Sequence, residues 1–237
     1  MNNKFDELSE SLAQSVTRRG AFKKFGAGLA GIALALSSAL PVAGANPNSM
    51  TASVNDAAGD AVFPYDLYNG PVPPWIDIVR GSVTLTRGVF HFEIQVSADI
   101  PANGDPRFTP DANHIGSLFG ILTDRKTAQH FNLFGQQDNY HFNFLVEALY
   151  VVSDDEGFEP GWHGFLQGPN SITEIPLVIR GDTYIFETSA VSLGNPASFQ
   201  WAVGSECDPV PGPAERNRTI ILVDYAPDHG LASWPAQ

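Results

Sequence analysis

Hydrophobic and polar positions alternate with a period of two over most of the chain after residue 75. The clearest run is Val89-Phe90-His91-Phe92-Glu93-Ile94-Gln95-Val96-Ser97. It puts Phe90, Phe92, Ile94 and Val96 on one face and His91, Glu93, Gln95 and Ser97 on the other. A looser alternation over 76–86 precedes it, and Arg87-Gly88 between the two supplies a turn, so the stretch predicts a β-hairpin. Further strands are expected at 117–123, 140–152, 164–166, 174–179, 183–188, 198–203 and 219–225, punctuated by Gly, Pro, Asn and Asp. Asn143, Glu147 and Thr188 interleave with Phe142, Phe144, Val146, Tyr184 and Phe186, as in sheets with one solvated face. No amphipathic helical window of useful length interrupts the series. The expected fold is all-β, a two-sheet antiparallel jelly-roll-like sandwich. The irregular stretches 46–74, 99–115, 124–139, 153–163 and 207–217 form its connections.

The first 45 residues read as an address, a helical signal segment preceding the sandwich. Thr17-Arg18-Arg19-Gly20-Ala21-Phe22-Lys23-Lys24 sets four cations before a weakly apolar Gly-, Ala- and Leu-rich stretch, and Ala43-Gly44-Ala45 supplies the small residues of a cleavage site. The arginine pair resembles a twin-arginine export signal, with Ala21 where a larger apolar residue is usual. An uncleaved anchor is the competing reading, although Gly26, Gly28, Gly31 and Pro41 interrupt the segment. Residues 1–45 are therefore expected to be an export signal peptide engaging the twin-arginine translocase. Residues 46–237 are expected to be a single periplasmic or extracellular domain.

Composition narrows the partners. The chain has 237 residues, 26 acidic against 13 basic, and a formal charge of −13. Removing the signal, with its five basic and three acidic residues, leaves eight basic against 23 acidic, or −15. Such a surface repels polyphosphate, so nucleic acid is excluded as a main partner. The one cysteine, Cys207, rules out an internal disulfide, and acid on both sides of it argues against a nucleophile. No Gly-x-Ser-x-Gly elbow, His-Glu-x-x-His, phosphate loop or Cys-His cluster occurs, and no two histidines are spaced to share one face of a strand or helix.

The carboxylates and rings carry more. Asp56-Ala57-Ala58-Gly59-Asp60 brackets a glycine turn with two acids, and Asp224-Tyr225-Ala226-Pro227-Asp228-His229-Gly230 repeats the arrangement near the other terminus. Hard oxygen donors on turns suit Ca²⁺, provided the first and last strands are neighbours; Asp at such turns also caps its own backbone. Tyr65 and Trp75 lie in a Pro-rich stretch, and Trp162 and Trp234 in other irregular ones. Rings so placed either stack on pyranose faces or pin loops to the sandwich.

Asp56-Ala57-Ala58-Gly59-Asp60, followed by Trp75-Ile76-Asp77-Ile78-Val79 and Ser82-Val83-Thr84, resembles the opening of secreted bacterial DOMON-like domains and family-nine carbohydrate-binding modules. Gly120-Ile121-Leu122-Thr123-Asp124-Arg125 with Gly135-Gln136-Gln137-Asp138-Asn139-Tyr140, then Val191-Ser192-Leu193-Gly194-Asn195, then residues 224–230, are similar to later motifs of that family in the same order. Leu122 stands where a second Asp before Asp124 is usual. The resemblance spans about residues 51–234 and implies a non-catalytic sandwich that binds sugars, haem or structural calcium, or has no known ligand. It makes Asp56, Asp60 and Asp228 the calcium candidates. Haem is set aside because the sequence after the signal offers only Met50 as a methionine ligand.

The function expected is an exported, non-catalytic binding sandwich stabilised by Ca²⁺, with Tyr65, Trp75, Trp162 and Trp234 as ligand contacts, glycan being the leading ligand. Two alternatives stand beside it. One is a secreted glycan hydrolase using acids among Asp154, Asp155, Glu156 and Glu159 near Trp162. The other is a structural cell-surface interaction domain.

Overall fold

The computed structural model describes residues 49–62, 71–105, 115–128, 131–134, 139–151, 158–207 and 222–236. The export segment expected over 1–45 lies outside them. The elements are β1 (Met50–Asn55), β2 (Ile78–Thr86), β3 (Val89–Val96), β4 (Ile115–Leu122), β5 (Phe131–Phe134), β6 (Asn139–Phe142) and β7 (Phe144–Val151). They continue with β8 (Gly161–Gly168), β9 (Ser171–Ile175), β10 (Leu177–Arg180), β11 (Thr183–Ser189), a 3₁₀ turn (Ala190–Leu193), β12 (Phe199–Cys207), β13 (Leu222–Ala226) and β14 (Ala232–Trp234). Among the described residues no helix is long and apolar enough to cross a membrane.

The strands form an all-β sandwich of two antiparallel sheets. One runs β1-β2-β3-β11-β10; the other runs β13-β12-β4-β7-β8-β9, with β14 also on β12. The hairpin expected around Arg87-Gly88 is present: β2 pairs with β3 from Thr86↔Val89 to Ile78↔Val96. Phe90, Phe92, Ile94 and Val96 all face inward and are buried. They meet Phe119, Trp201 and Val203 of the opposing sheet in one continuous core. The alternation thus fixes which face of β3 drives assembly through burial of apolar surface.

Two expected strands are each divided. The segment 174–179 breaks at Pro176, which has no amide proton for a ladder; β9 stays in one sheet while β10 crosses to the edge of the other. The segment 140–152 breaks at Asn143. Its carboxamide oxygen accepts the Thr123 and Asp124 amide protons at 2.8 and 2.9 Å, and its NH₂ donates to Thr127 Oγ1 at 3.0 Å. β6 consequently leaves the sheet and pairs with β5. Phe142 at its end packs over Gly120, where any Cβ would lie 2.6 Å from the ring.

That packing overturns the expectation of a solvated outer face. Leu118, Leu122, Ala128, Phe142, Leu145 and Ala202 make a second buried cluster on the far side of the β12-β4-β7 sheet. Asn143 and Glu147 are buried, and so is Thr188, on the inward face of β11 in the other sheet with Tyr184 and Phe186. Glu147 accepts a hydrogen bond from Gln167 Nε2, which satisfies part of the carboxyl inside this layer.

Strands β1, β5 and β14 lie where the sequence shows no period. β1 is an edge strand whose inward positions are only Ala52 and Val54, and β14 has three residues. The terminal strands are not neighbours in one sheet. β1 pairs with β2, whereas β14 and β13 lie end to end along one edge of β12, on Phe199–Trp201 and Val203–Glu206 respectively. The chain ends instead meet across the gap between the sheets, with β14 packed against β1 and β13 against β2.

Candidate metal centre

The turn after β1 and the turn between β13 and β14 sit at this edge. After β1 the backbone stays tied to the other strand, with the Asp56 amide donating to Val79 O at 3.0 Å and the Val62 amide to Val223 O at 2.8 Å. Gly59 and Gly230 have φ of 88° and 77°, a region that favours glycine, and a Cβ on either would meet nothing within 4 Å. Both turns are tight for conformational reasons, and each carries its acids to the same place.

Oxygens of Asp56, Asp60 and Asp228 lie within 4.8 Å of one another. A second set, from Asp60, Asp77 and Asp224, meets the same limit, so Asp60 belongs to both. The three residues singled out in the sequence are therefore brought together. Asp77 and Asp224 are the members that sequence reasoning passed over, although each interrupts or opens a quoted motif. A carboxylate inside the apolar run Trp75-Ile76-Asp77-Ile78 is the signal that pointed to one of them.

Asp77 and Asp224 are buried and act as backbone acceptors. Gly59 N–H donates to both Asp77 oxygens, at 3.0 and 2.8 Å, and Ala61 N–H to Oδ1 at 3.4 Å, which shapes the turn that presents Asp60. Asp224 Oδ2 accepts from Ile78 N–H at 2.5 Å and Oδ1 from Tyr225 N–H at 2.8 Å. Asp56 Oδ1 accepts from Ala57 N–H at 3.0 Å. Its other oxygen, Oδ2, is buried with no hydrogen-bond partner.

The electrostatics follow from that crowding. Burial, then the like charges of Asp60, Asp228 and Asp77, push Asp56 up to about 6 against the opposing Ala57 N–H. Burial first, with Asp56, Asp60 and Asp77 adding, pushes Asp224 up to about 8 despite the Ile78 N–H. Asp60 is also raised, by burial and by Asp228 and Asp77. Among the described residues, no lysine or arginine pairs with any of the five.

The donor set fits a hard divalent cation. It is all oxygen, it includes a buried oxygen lacking a proton donor, and the spread of each three-carboxylate group lies within the about 5 Å that separates opposite oxygens on one Ca²⁺.

The four aromatic candidates separate. Trp234 is buried, 1% exposed, between Phe90 at 4.8 Å and Phe199 at 5.2 Å. Trp75 is 6% exposed and donates its indole N–H to Asp105 Oδ2 at 3.1 Å. Neither offers a ring face to solvent, so both are corrected from ligand platforms to packing residues, and pinning is the role they fill. Trp162 is in strand β8 rather than a loop and is only partly buried. Tyr65 lies outside the described residues, as do Asp154, Asp155 and Glu156; Glu159 is exposed. His163 is held by Glu174 Oε1 at 2.9 Å and Glu159 O at 2.8 Å, a strand-surface arrangement.

No protein-family model matches the chain, and no curated protein matches it.

Proposed function

We propose that this protein is an exported, non-catalytic binding sandwich, delivered through the twin-arginine route to the periplasm or beyond, in which Ca²⁺ clamps the two ends of the chain and a glycan is the ligand. The observation that carries the clamp is the pair of three-carboxylate groups that share Asp60, Asp56/Asp60/Asp228 and Asp60/Asp77/Asp224, the first of which includes the unpartnered buried oxygen of Asp56. A cation there removes mutual repulsion and supplies the missing partner of Asp56 Oδ2. Because Asp224 already holds the Ile78 amide across the seam and Asp77 holds the Gly59 amide of the turn beside it, bound metal stabilises the seam and need not perform chemistry.

The resemblance to DOMON-like and family-nine modules supports the glycan assignment, and the charge of −13 agrees with a partner that is not polyanionic. Elemental analysis of protein purified without chelator tests the metal. One or two Ca²⁺ per chain in the wild type, lost in Asp56→Asn/Asp228→Asn, is expected; metal-free protein that takes up no Ca²⁺ in calorimetric titration contradicts it.

A further inference from the structure

We infer that the open edge between β8 and β10 is the sugar subsite of this protein, shaped for one neutral pyranose unit of a polysaccharide; this rests on the glycan part of the reading above. A groove of ≈ 470 Å³ opens there, lined among others by Asp99, Ile100, Trp162, Leu177, Ile179 and Gly181. Its volume lies in the about 300–1,000 Å³ range of small-ligand sites. The sheets part here because β10, after the Pro176 corner, is the last strand of its sheet, while β8 belongs to the other. Gly164 of β8 lets β10 come close, since a Cβ on it would lie 2.9 Å from Leu177 Cβ.

Trp162 is the built part of the groove. Its indole N–H donates to Pro101 O at 2.9 Å, and the rings of Trp75, Tyr150 and Tyr184 pack around it at 6.2, 5.4 and 5.4 Å. A ring held this way stacks on an apolar sugar face without losing rotamer freedom on binding.

Leu177, Ile179 and Ile100 complete an apolar wall suited to the C–H face of a pyranose. Polar recognition is confined to the rim. The Asp99 carboxylate lies beside Gly181, 3.2 Å from where a Cβ would stand, and accepts hydroxyl protons. As the terminal strand of its sheet among the described residues, β10 also presents outward backbone N–H and C=O groups, offering donors as well as acceptors to hydroxyls.

Charge sets the class. Among the described residues Asp99 is the one charged group lining the groove, and the protein as a whole carries a formal charge of −13, so uronates and sulfated sugars are disfavoured.

Affinity electrophoresis through gels containing β-glucan, xylan or mannan, and in parallel alginate, tests the assignment. The wild type is expected to be retarded by at least one neutral polymer and not by alginate. Trp162→Ala should weaken binding about tenfold or more. Asp99→Ala, at an exposed position, should weaken it about three- to tenfold. Ala102→Arg, an exposed change at the groove, blocks it without touching the core and guards against a Trp162 variant that fails to fold. Undiminished retardation in all three variants overturns the groove and leaves the glycan-binding reading standing. Preference for alginate overturns the neutral class, and no retardation of the wild type by any polymer overturns both readings.

Discussion

Asp224 on the edge strand β13 accepts the backbone amide proton of Ile78 on β2, 146 positions earlier in the chain, and so joins the two sheets. The same carboxyl is crowded by Asp56, Asp60 and Asp77, which makes its charge a liability when no cation is bound. Asp224→Asn keeps an acceptor for Ile78 and removes the charge, at the loss of the acceptor for Tyr225 N–H. In chelator at pH 7.5 this variant should be more stable than wild type by on the order of 1–3 kcal/mol in urea unfolding. With saturating Ca²⁺ the order should reverse. Equal destabilisation with and without Ca²⁺ would show that Asp224 acts only through the Ile78 hydrogen bond.

The metal-free protein should lose stability as pH rises. Asp56 and Asp224 have folded values of about 6 and about 8 against an ordinary 3.8, so between these limits the folded state holds more protons than the unfolded one. Stability then falls with increasing pH, by the sign of proton linkage. The loss begins above about pH 4 and levels off beyond pH 8. Melting in chelator from pH 4.5 to 8.5 should fall across this window, and Ca²⁺ should flatten the curve; a rise from pH 5 to 8 without Ca²⁺ contradicts the assigned environment.

Asn143 is expected to be a stability hot point with no role in binding. Its carboxamide serves the Thr123 and Asp124 amides and Thr127 Oγ1 at a buried position. Asn143→Ala should cost about 2–3 kcal/mol, through amides left without acceptors. Calcium uptake should be unchanged, measurable on the same samples.

Gly120 should tolerate no side chain. A Cβ would stand 2.6 Å from the Phe142 ring, in the layer that covers the β4 face. Gly120→Val should cost about 1–3 kcal/mol or more through overpacking. Pairing it with Phe142→Ala should recover part of the loss, and additive losses in denaturant titration would argue against this contact.

Much of the sandwich is legible in the sequence because burial on one face of a strand writes itself as alternation, as in Phe90, Phe92, Ile94 and Val96. Pro176 and Asn143 were visible too, but whether such residues end a strand or redirect it depends on which neighbours satisfy the backbone, and only the folded partners Thr123, Asp124 and Thr127 show that. β1 and β14 were hidden for a simpler reason: short edge strands bury few side chains, so no period develops.

The site divides along the same line. Asp56, Asp60 and Asp228 could be picked out because acids beside turn glycines are local features. Asp77 joins them only through the fold of the turn after β1 onto the start of β2, and Asp224 only from the opposing sheet. Aromatic residues in unpatterned segments carry no local mark of where they point: Trp234 fills the core and Trp162 lines a groove, yet both have the same sequence appearance. The alternation of β7 gives Glu147 the look of a solvated position because the layer over that face, which includes Ala128 and Phe142, leaves no trace in β7 itself.

Thermal unfolding of one preparation, first with excess chelator and then with Ca²⁺ returned, measures the clamp most directly. The account predicts that the midpoint drops on chelation and is restored by Ca²⁺ but not by equimolar Mg²⁺, whose shorter bonds demand a tighter cage. A midpoint that does not move under saturating chelation, in protein shown to be folded, would contradict it.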